Sequence, residues 1–276
     1  MTLLTYILYF AAAAAYAVHF VRRDAAAGRG ASVLLGSAAL VHTFLIGMQT
    51  MQLGYVPFVG ATGAVSTFVW LLALVYLYTE QTTGERAMGV FIAPLLVLLQ
   101  TIPMLGTTPA GPRPPVLDSP LFAVHVASLL FAYAAFALAC VLGVTYVLLF
   151  KEIKARHLGF FYSRLPSLHV LDTMNVRAVS VGWVCLTIGV VVGGIWIGQA
   201  RVYAPDDPRV QAMSFLDPKI FVALLCWGVY TFELFARRAI GWVGRKAAWL
   251  SAIGFAIVLL NFLPIAYFFT RSHNFY

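Results

Sequence analysis

The sequence predicts an all-α integral membrane protein: a bundle of eight transmembrane helices in a single domain over residues 1–276. Composition is the first reason, since 62% of the residues are hydrophobic and only 10% are charged, against roughly 25% charged in soluble domains. The second is that nearly uncharged runs recur, each long enough to cross a hydrocarbon core of about 30 Å. Because no run alternates as barrel strands do, and lipid offers the backbone no hydrogen-bond partners, each run is expected to be a helix.

The first five spans are separated by short connections, except for the longer Pro- and Gly-rich loop 106–120 before the fifth. The first has no basic residue ahead of it and Arg22 and Arg23 behind it, the reverse of a signal peptide, so we expect it to remain in the mature chain. The fifth is expected to extend into the connection 151–175, which then lies along the membrane surface. These predicted spans are 2–21, 32–53, 64–79, 87–105 and 120–150.

The last three spans are 178–199, 218–236 and 247–270. Asp217 and Pro218 have the chemistry of an N-cap and a first helical residue, which predicts that the seventh span begins there. Glu233 and Arg237 are spaced i, i+4 near its other end, as in an ordinary pair at the membrane boundary. Four glycines of the sixth span form successive small-xxx-small pairs, which indicates a close helix-packing face with room beside Trp196. They are Gly189, Gly193, Gly194 and Gly198.

The basic residues predict the orientation. Most of the 18 lysines and arginines fall in the connections after spans one, three, five and seven. By the positive-inside rule both termini lie on the non-cytoplasmic side, and we expect a multi-pass protein of the bacterial cytoplasmic (inner) membrane, in contact with lipid. The net charge of +8 is dispersed over short flanking loops, which argues against a nucleic-acid partner.

Three histidines are the candidate functional residues. His42 lies near the middle of the second span, where an ionisable side chain suggests function; the alternative is a neutral imidazole hydrogen-bonded to a neighbouring helix. His125 lies near the outer end of span five, and His273 follows span eight. These two could reach one ligand if spans five and eight are neighbours, but taken singly they also fit a buried helix contact and a polar tail residue.

Several stretches resemble the cytochrome c assembly family, the CcsA/CcmC type of haem-handling membrane proteins. "SPLFAVHVASLLFAYAAFALA" and "LPSLHVLDTMNVRAVSVGWVCLTIGVVVGGIW" are similar to that family's fifth and sixth spans. "GWVGRKAAWLSAIGFAIVLLNF" with the closing "SHNFY" resembles its carboxyl-terminal span, and "LDPKIFVALLCWGVY" resembles the end of its tryptophan-rich WWD motif. The similarity runs in order from about His42 to Tyr276.

The resemblance implies a haem site at the outer membrane face. It makes His125 and His273 the axial iron ligands and matches Trp196 to the tryptophan that opens the motif. Asp217 and Lys219 match the motif's DPK ending, and His42 resembles a membrane-embedded histidine that relays haem. The implied cofactor is non-covalent haem b, and the implied partners are haem and either an assembly subunit or apocytochrome c.

Physical chemistry adds candidates around such a porphyrin. Haem requires an apolar slot and cations for its propionates. Trp196, Phe215 and Trp227 could line the slot. A lysine in the first helical turn opposes the helix dipole, so Lys219 makes better sense beside a bound anion. The outer cations available for carboxylates are Arg201, Arg209, Lys219 and Arg271.

Departures from the family pattern keep other functions open. Ser214 and Leu216 stand where the motif W-x-W-D-P-K-E has its two later tryptophans, Ile220 where it has glutamate, and Phe235 where the family has a second membrane histidine. These losses resemble the divergent HemX-like branch, so a regulatory or assembly protein without haem is one alternative. A small-molecule transporter is another, with a polar path past His42, Gln49, Gln52 and Gln100. No hydrolytic motif occurs, which favours a chaperone or accessory role over an enzyme.

Overall fold

The computed structural model describes residues 2–58, 61–106, 119–156, 159, 162–207, 210–211 and 217–260, and within these ranges it contains helices and no strands. We number the long helices α1 to α8. A π-helical turn, Ala236–Ile240, continues α7. The helices are α1 Thr2–Arg22, α2 Ala25–Leu53, α3 Ala61–Thr83, α4 Gly89–Leu105, α5 Pro120–Lys154, α6 Leu168–Tyr203, α7 Pro218–Phe235 and α8 Arg245–Leu260.

The prediction of a helical integral membrane protein is confirmed. Six segments are long and apolar enough to cross a membrane. The segment Gly89–Leu105 is apolar but shorter, and the predicted eighth span continues beyond the described part of α8. The six segments are Thr2–Arg22, Ala25–Leu53, Thr62–Thr83, Pro120–Lys154, Leu168–Tyr203 and Pro218–Ile240.

Two helices begin earlier than the hydropathy pattern predicts. The α6 helix starts at Leu168, capped by Ser167, whose side chain accepts a hydrogen bond from Val170 N at 3.3 Å. The predicted surface segment is therefore helical from residue 168 onward and continuous with the sixth span. The α2 helix starts at Ala25, where the Asp24 carboxylate accepts from Ala26 N at 2.8 Å. Both caps satisfy backbone N–H groups that a helix start leaves open.

The α5 helix is the centre of the bundle. Every residue from Ala132 to Ala139 is buried, so α5 is covered on all sides in its middle turns. It packs most extensively along α6 and also contacts α3 and α8, while α1 packs against α2 and α4. This division gives two regions, α1–α4 and α5–α8, which meet mainly where α3 contacts α5.

An aromatic stack joins the helices of the second region. The rings of Phe136 on α5 and Tyr230 on α7 have centroids 3.7 Å apart and planes inclined by 5°. Glycines make room for both rings. A Cβ at Gly182 would lie 2.5 Å from Phe136 Cε1, and one at Gly254 would lie 2.6 Å from Tyr230 Cζ. The small residues of α6 and α8 thus allow large rings to fill the core.

The pair Glu233 and Arg237 belongs to a larger buried network. Glu233 is fully buried, with Oε1 3.9 Å from Arg237 Nε. The Arg237 guanidinium donates to both carboxylate oxygens of Asp172 on α6, at 3.0 Å each, and to Asn175 Oδ1. Ser251 on α8 donates to Glu233 Oε1 at 2.8 Å. The prediction of an ordinary boundary pair was therefore incomplete: this network links α6, α7 and α8.

A second polar network links the first three helices. Glu80 on α3 is 1% exposed and accepts hydrogen bonds from the hydroxyls of Tyr16 on α1, at 2.6 Å, and of Ser32 on α2. Arg86 donates through Nε to Ser32 Oγ at 3.0 Å and lies 3.8 Å from the Glu80 carboxylate. One buried acid therefore ties three helices at the end of the bundle where α1 and α3 finish.

Candidate functional site

His125 sits in the contact between α5 and α6. Its Nδ1 lies 2.7 Å from the carbonyl oxygen of Gly189. A carbonyl oxygen only accepts hydrogen bonds, so Nδ1 must carry the proton. In a neutral imidazole the lone pair is then on Nε2, the usual arrangement for a histidine that binds a metal. The backbone of α6 thus fixes both the tautomer and the orientation of this ring.

Gly193 provides the space for that ring. A Cβ at Gly193 would lie 2.4 Å from His125 Nδ1, and one at Gly189 would lie 2.8 Å from a Leu129 methyl carbon. Gly194 and Gly198 have no atom within 4 Å of the equivalent position. Only the first two of the four glycines therefore form the predicted close-packing face, and the side chain that Gly193 accommodates is His125.

Trp196 lies in the same α5–α6 contact, one turn from Gly193. It is 3% exposed and packs on Phe122, one turn before His125, with ring centroids 4.9 Å apart and planes inclined by 51°. Ile197, Ala200 and Val210 complete this small apolar cluster. The structure therefore brings the predicted residues His125 and Trp196 together, through neighbours one turn away on each helix.

Asp217 and Lys219 begin α7 at the same end of the bundle. Asp217 is 4% exposed, and its Oδ1 accepts from Lys219 N at 2.8 Å, which makes it the N-cap that the sequence predicts. Pro218 is the first helical residue. Lys219 is half-buried in the first turn, where the helix dipole favours an anion.

Trp227, a residue of α7, packs against a different face of α6. Its Nε1 donates to Thr187 Oγ1 at 2.9 Å, and its ring stacks on Trp183 with centroids 6.1 Å apart. Thr187 and Gly189 are two residues apart, hence about 200° apart around a helix of 3.6 residues per turn. The structure thus places Trp227 away from the His125 side of α6.

His42 lies in the α1–α4 region, fully buried. Its Nδ1 is 3.1 Å from the Tyr9 hydroxyl and its Nε2 is 2.9 Å from the Ser66 hydroxyl. Because a hydroxyl can donate or accept, the two partners satisfy both nitrogens of a neutral ring. The structure does not bring His42 to the His125 contact.

Several of the remaining predicted site residues cannot be placed. His273, Arg271, Phe215 and Arg209 lie outside the described residues. Within them, no group of three or more His, Cys, Asp or Glu could hold a metal ion. Phe235, at the position of the family's second membrane histidine, is 57% exposed.

The glutamines of the predicted polar path differ in their burial. Gln100 is fully buried, and its amide nitrogen and oxygen have no hydrogen-bond partner. Gln49, in contrast, is half-buried and Gln52 is exposed. A buried unpaired amide requires an explanation, and of the three glutamines Gln100 alone is fully buried, as His42 is.

Sequence reasoning missed two contributors to the His125 contact. Phe122 is one turn before His125, a spacing that signals a shared helix face. The Gly189 carbonyl is a backbone atom, and the only sequence signal for it is the glycine itself, which indicates close approach of another helix.

The fold and the site define a class of protein: a polytopic helical membrane protein with an oriented histidine and an aromatic cluster at one end of a central helix pair. Comparison with known proteins specifies the family. The family model "Cytochrome C assembly protein" matches residues 58–274, so the chain belongs to that family.

Relatives align over most of the chain. The cytochrome c biogenesis protein CcsA of Guillardia theta is 24% identical over 267 residues, which cover 90% of this chain and 85% of that protein. The CcsA of Trieres chinensis is 23% identical, with 86% and 83% covered. The CcsA of Synechococcus elongatus is 24% identical over 274 residues, with 83% and 81% covered. These similarities agree with the resemblance in the sequence.

Proposed function

We propose that this protein handles haem during c-type cytochrome assembly and holds non-covalent haem b at the outer membrane face, with His125 and His273 as iron ligands. The observation that carries the proposal is the hydrogen bond from His125 Nδ1 to the Gly189 carbonyl. That bond leaves the lone pair on Nε2 and holds the ring in one orientation, as metal-binding histidines require. Family membership supports the haem-assembly role, because the relatives are named as cytochrome c biogenesis proteins.

The residues around His125 suit a porphyrin. When bound, haem iron accepts imidazole lone pairs, and its propionates accept hydrogen bonds from cations. Trp196 and Phe122 provide an aromatic wall one turn from His125. Lys219 at the start of α7 is the described cation that we assign to a propionate, and Asp217 holds the first turn that carries it. Trp227 is assigned to packing between α6 and α7, because it faces Thr187 and Trp183.

The topology that we propose has eight spans and both termini on the non-cytoplasmic side of a bacterial cytoplasmic membrane. It treats α4 and α8 as the two spans beyond the six long apolar segments. With this orientation, His125 and the start of α7 lie at the outer face. There haem could be passed to an apocytochrome c, with an assembly subunit as partner.

His42 is assigned to a structural role in this proposal. A metal would have to displace Tyr9 or Ser66 from one of its ring nitrogens, whereas the Gly189 carbonyl engages His125 at Nδ1. The relay function implied by the family resemblance remains the alternative for His42. It predicts loss of haem on substitution.

A HemX-like assembly or regulatory protein without haem is the second candidate. The replacement of both later tryptophans of the motif and the exposed Phe235 favour it. A transporter is the third, and the buried unpaired amide of Gln100 is the observation in its favour.

Absorption spectroscopy of detergent-purified protein from haem-sufficient cells distinguishes these functions. We expect a Soret band in the native protein, a weaker or shifted band in His125→Ala and in His273→Ala, and an unchanged band in His157→Ala. A native protein without a Soret band would support the HemX-like candidate. Substrate counterflow in proteoliposomes would support the transporter.

A further inference from the structure

A groove lined by basic and aromatic residues lies between the end of α5 and the start of α8, at the opposite end of α5 from His125. It encloses about 600 Å³. Lys151 and Lys154 come from the last turn of α5, and Arg245 and Lys246 from the first turn of α8. We call it the α5–α8 groove. Because α5 ends and α8 begins at this groove, the groove borders the membrane–water interface, on the predicted cytoplasmic side.

The groove is positively charged without compensation. No acidic residue lines it, and none of its four cations forms a salt bridge within the part of the chain that the structure describes. Glu152 is the acid nearest along α5, and its side chain is not part of the lining. A cluster of four cations close together at a membrane surface attracts anions strongly.

Aromatic rings hold two of these cations in place. Arg245 Cζ lies 5.3 Å from the centroid of the Phe150 ring, and Lys246 Nζ lies 4.7 Å from that of the Trp242 ring. Such cation–π contacts orient a charge without neutralising it. The cations therefore remain available to an anion while their positions are restricted.

The remaining wall of the groove is apolar. Val147 and Leu250 line it together with Trp249, whose side chain is 53% exposed. Tryptophan is enriched at the level of lipid headgroups because it is apolar with one polar end. A ligand for this groove thus combines an anionic head with an apolar body.

We propose that the α5–α8 groove binds the headgroup phosphate of an anionic phospholipid, with an acyl chain along Val147 and Leu250. Basic pockets between transmembrane helices on the cytoplasmic side suit such headgroups. Haem fits less well, because the described residues that line the groove include no His, Cys, Met or Tyr to bind iron. The proposal rests on the membrane-spanning fold and is independent of haem binding at His125.

Lipid retention measured by native mass spectrometry tests this proposal. The full-length protein is exchanged into a neutral detergent with equal amounts of phosphatidylglycerol and phosphatidylcholine. We expect preferential retention of phosphatidylglycerol, and an affinity loss of about 25-fold in the double variant Arg245→Gln/Lys246→Gln, since each of the two cations near an anionic surface contributes about a fivefold factor.

The matched control is Arg22→Gln/Arg29→Gln, which removes the same charge from exposed residues outside the groove. Its lipid preference should not change. A third arm adds inorganic phosphate: failure to displace the lipid indicates that the acyl chain contributes, whereas full displacement indicates a phosphate site only and overturns the lipid assignment. Equal retention of both lipids, or an equal loss in the control, also overturns it.

The Soret band separates this proposal from the haem proposal. The groove variant should keep the native spectrum, and its thermal unfolding in detergent shows separately whether it folds. If the groove variant does not fold, Lys154→Gln alone is the milder test, with an expected loss of about fivefold.

Discussion

His42 and His125 are both membrane histidines with hydrogen-bonded rings, but their hydrogen-bond partners differ between the two regions of the bundle. In α1–α4, His42 lies between two hydroxyls from two helices, Tyr9 and Ser66, and both nitrogens are engaged. In α5–α8, the His125 Nδ1 donates to a backbone carbonyl, which cannot donate in return. The two contacts differ in the chemistry of the partner: hydroxyls leave the tautomer of His42 open, whereas a carbonyl fixes that of His125, which is why we propose only His125 as a ligand.

The ionic networks of the two regions differ in how many acids depend on one cation. Glu80 keeps two hydroxyl donors besides its cation, Arg86. Arg237, by contrast, is the shared cation of two acids, Asp172 and Glu233. Loss of the cation should therefore affect the second region far more than the first.

The largest expected effect is that of Arg237→Met. It leaves Asp172 and the fully buried Glu233 without their cation, and removing one partner of a buried pair typically costs about 3–5 kcal/mol. Thermal unfolding in detergent measures this loss. The adjacent Arg238→Met is the control, because Arg238 is exposed. Equal stability of the two variants would contradict the assigned network.

His42→Ala should rank second. It removes a buried ring and leaves the Tyr9 and Ser66 hydroxyls without this partner, which we expect to cost about 2–4 kcal/mol of unfolding free energy. The haem content per folded protein should stay at the native level. A lost Soret band in a stably folded variant would instead assign His42 to haem relay.

Gly193→Ala tests the orientation of His125 without removing its imidazole. The added methyl group would lie 2.4 Å from His125 Nδ1, so the ring must move, at a cost of about 1–3 kcal/mol. We expect a shifted or weaker Soret band. Gly194→Ala adds the same methyl group where no atom lies within 4 Å, and its spectrum should be native. Identical spectra for both variants would show that the position of the His125 ring does not affect haem binding.

Arg86→Met should have the smallest effect, about 1–2 kcal/mol. Glu80 would retain hydrogen bonds from Tyr16 and Ser32, and Arg86 is already 31% exposed. Thermal unfolding beside Arg237→Met gives the contrast directly. An effect as large as that of Arg237→Met would remove the distinction drawn between the two networks.

Local chemistry made part of this fold predictable. The start of α7 follows from Asp217 and Pro218, because capping depends only on neighbouring residues. The first turns of α6 were not predictable from hydropathy, since Asp172 interrupts the apolar pattern. Its compensating partner is Arg237, 65 residues away, and no local pattern contains that information.

The candidate site was predictable in its side chains and not in its geometry. His125 and Trp196 stand out in the sequence as a histidine and a tryptophan near the predicted outer ends of their spans. The sequence placed Trp227 with them, but the rotation of α6 turns Thr187 and Trp183 toward that residue. Which of four glycines meets the histidine likewise depends on the neighbouring helix, and Gly193 is the one.

The most direct test of the central claim compares His125→Gly with His42→Gly by absorption spectroscopy, with and without imidazole in the buffer. If His125 ligates haem iron, His125→Gly loses or shifts the Soret band and added imidazole restores it, while His42→Gly keeps the native band throughout. An unchanged band in His125→Gly, or an equal loss in both variants, would contradict the claim.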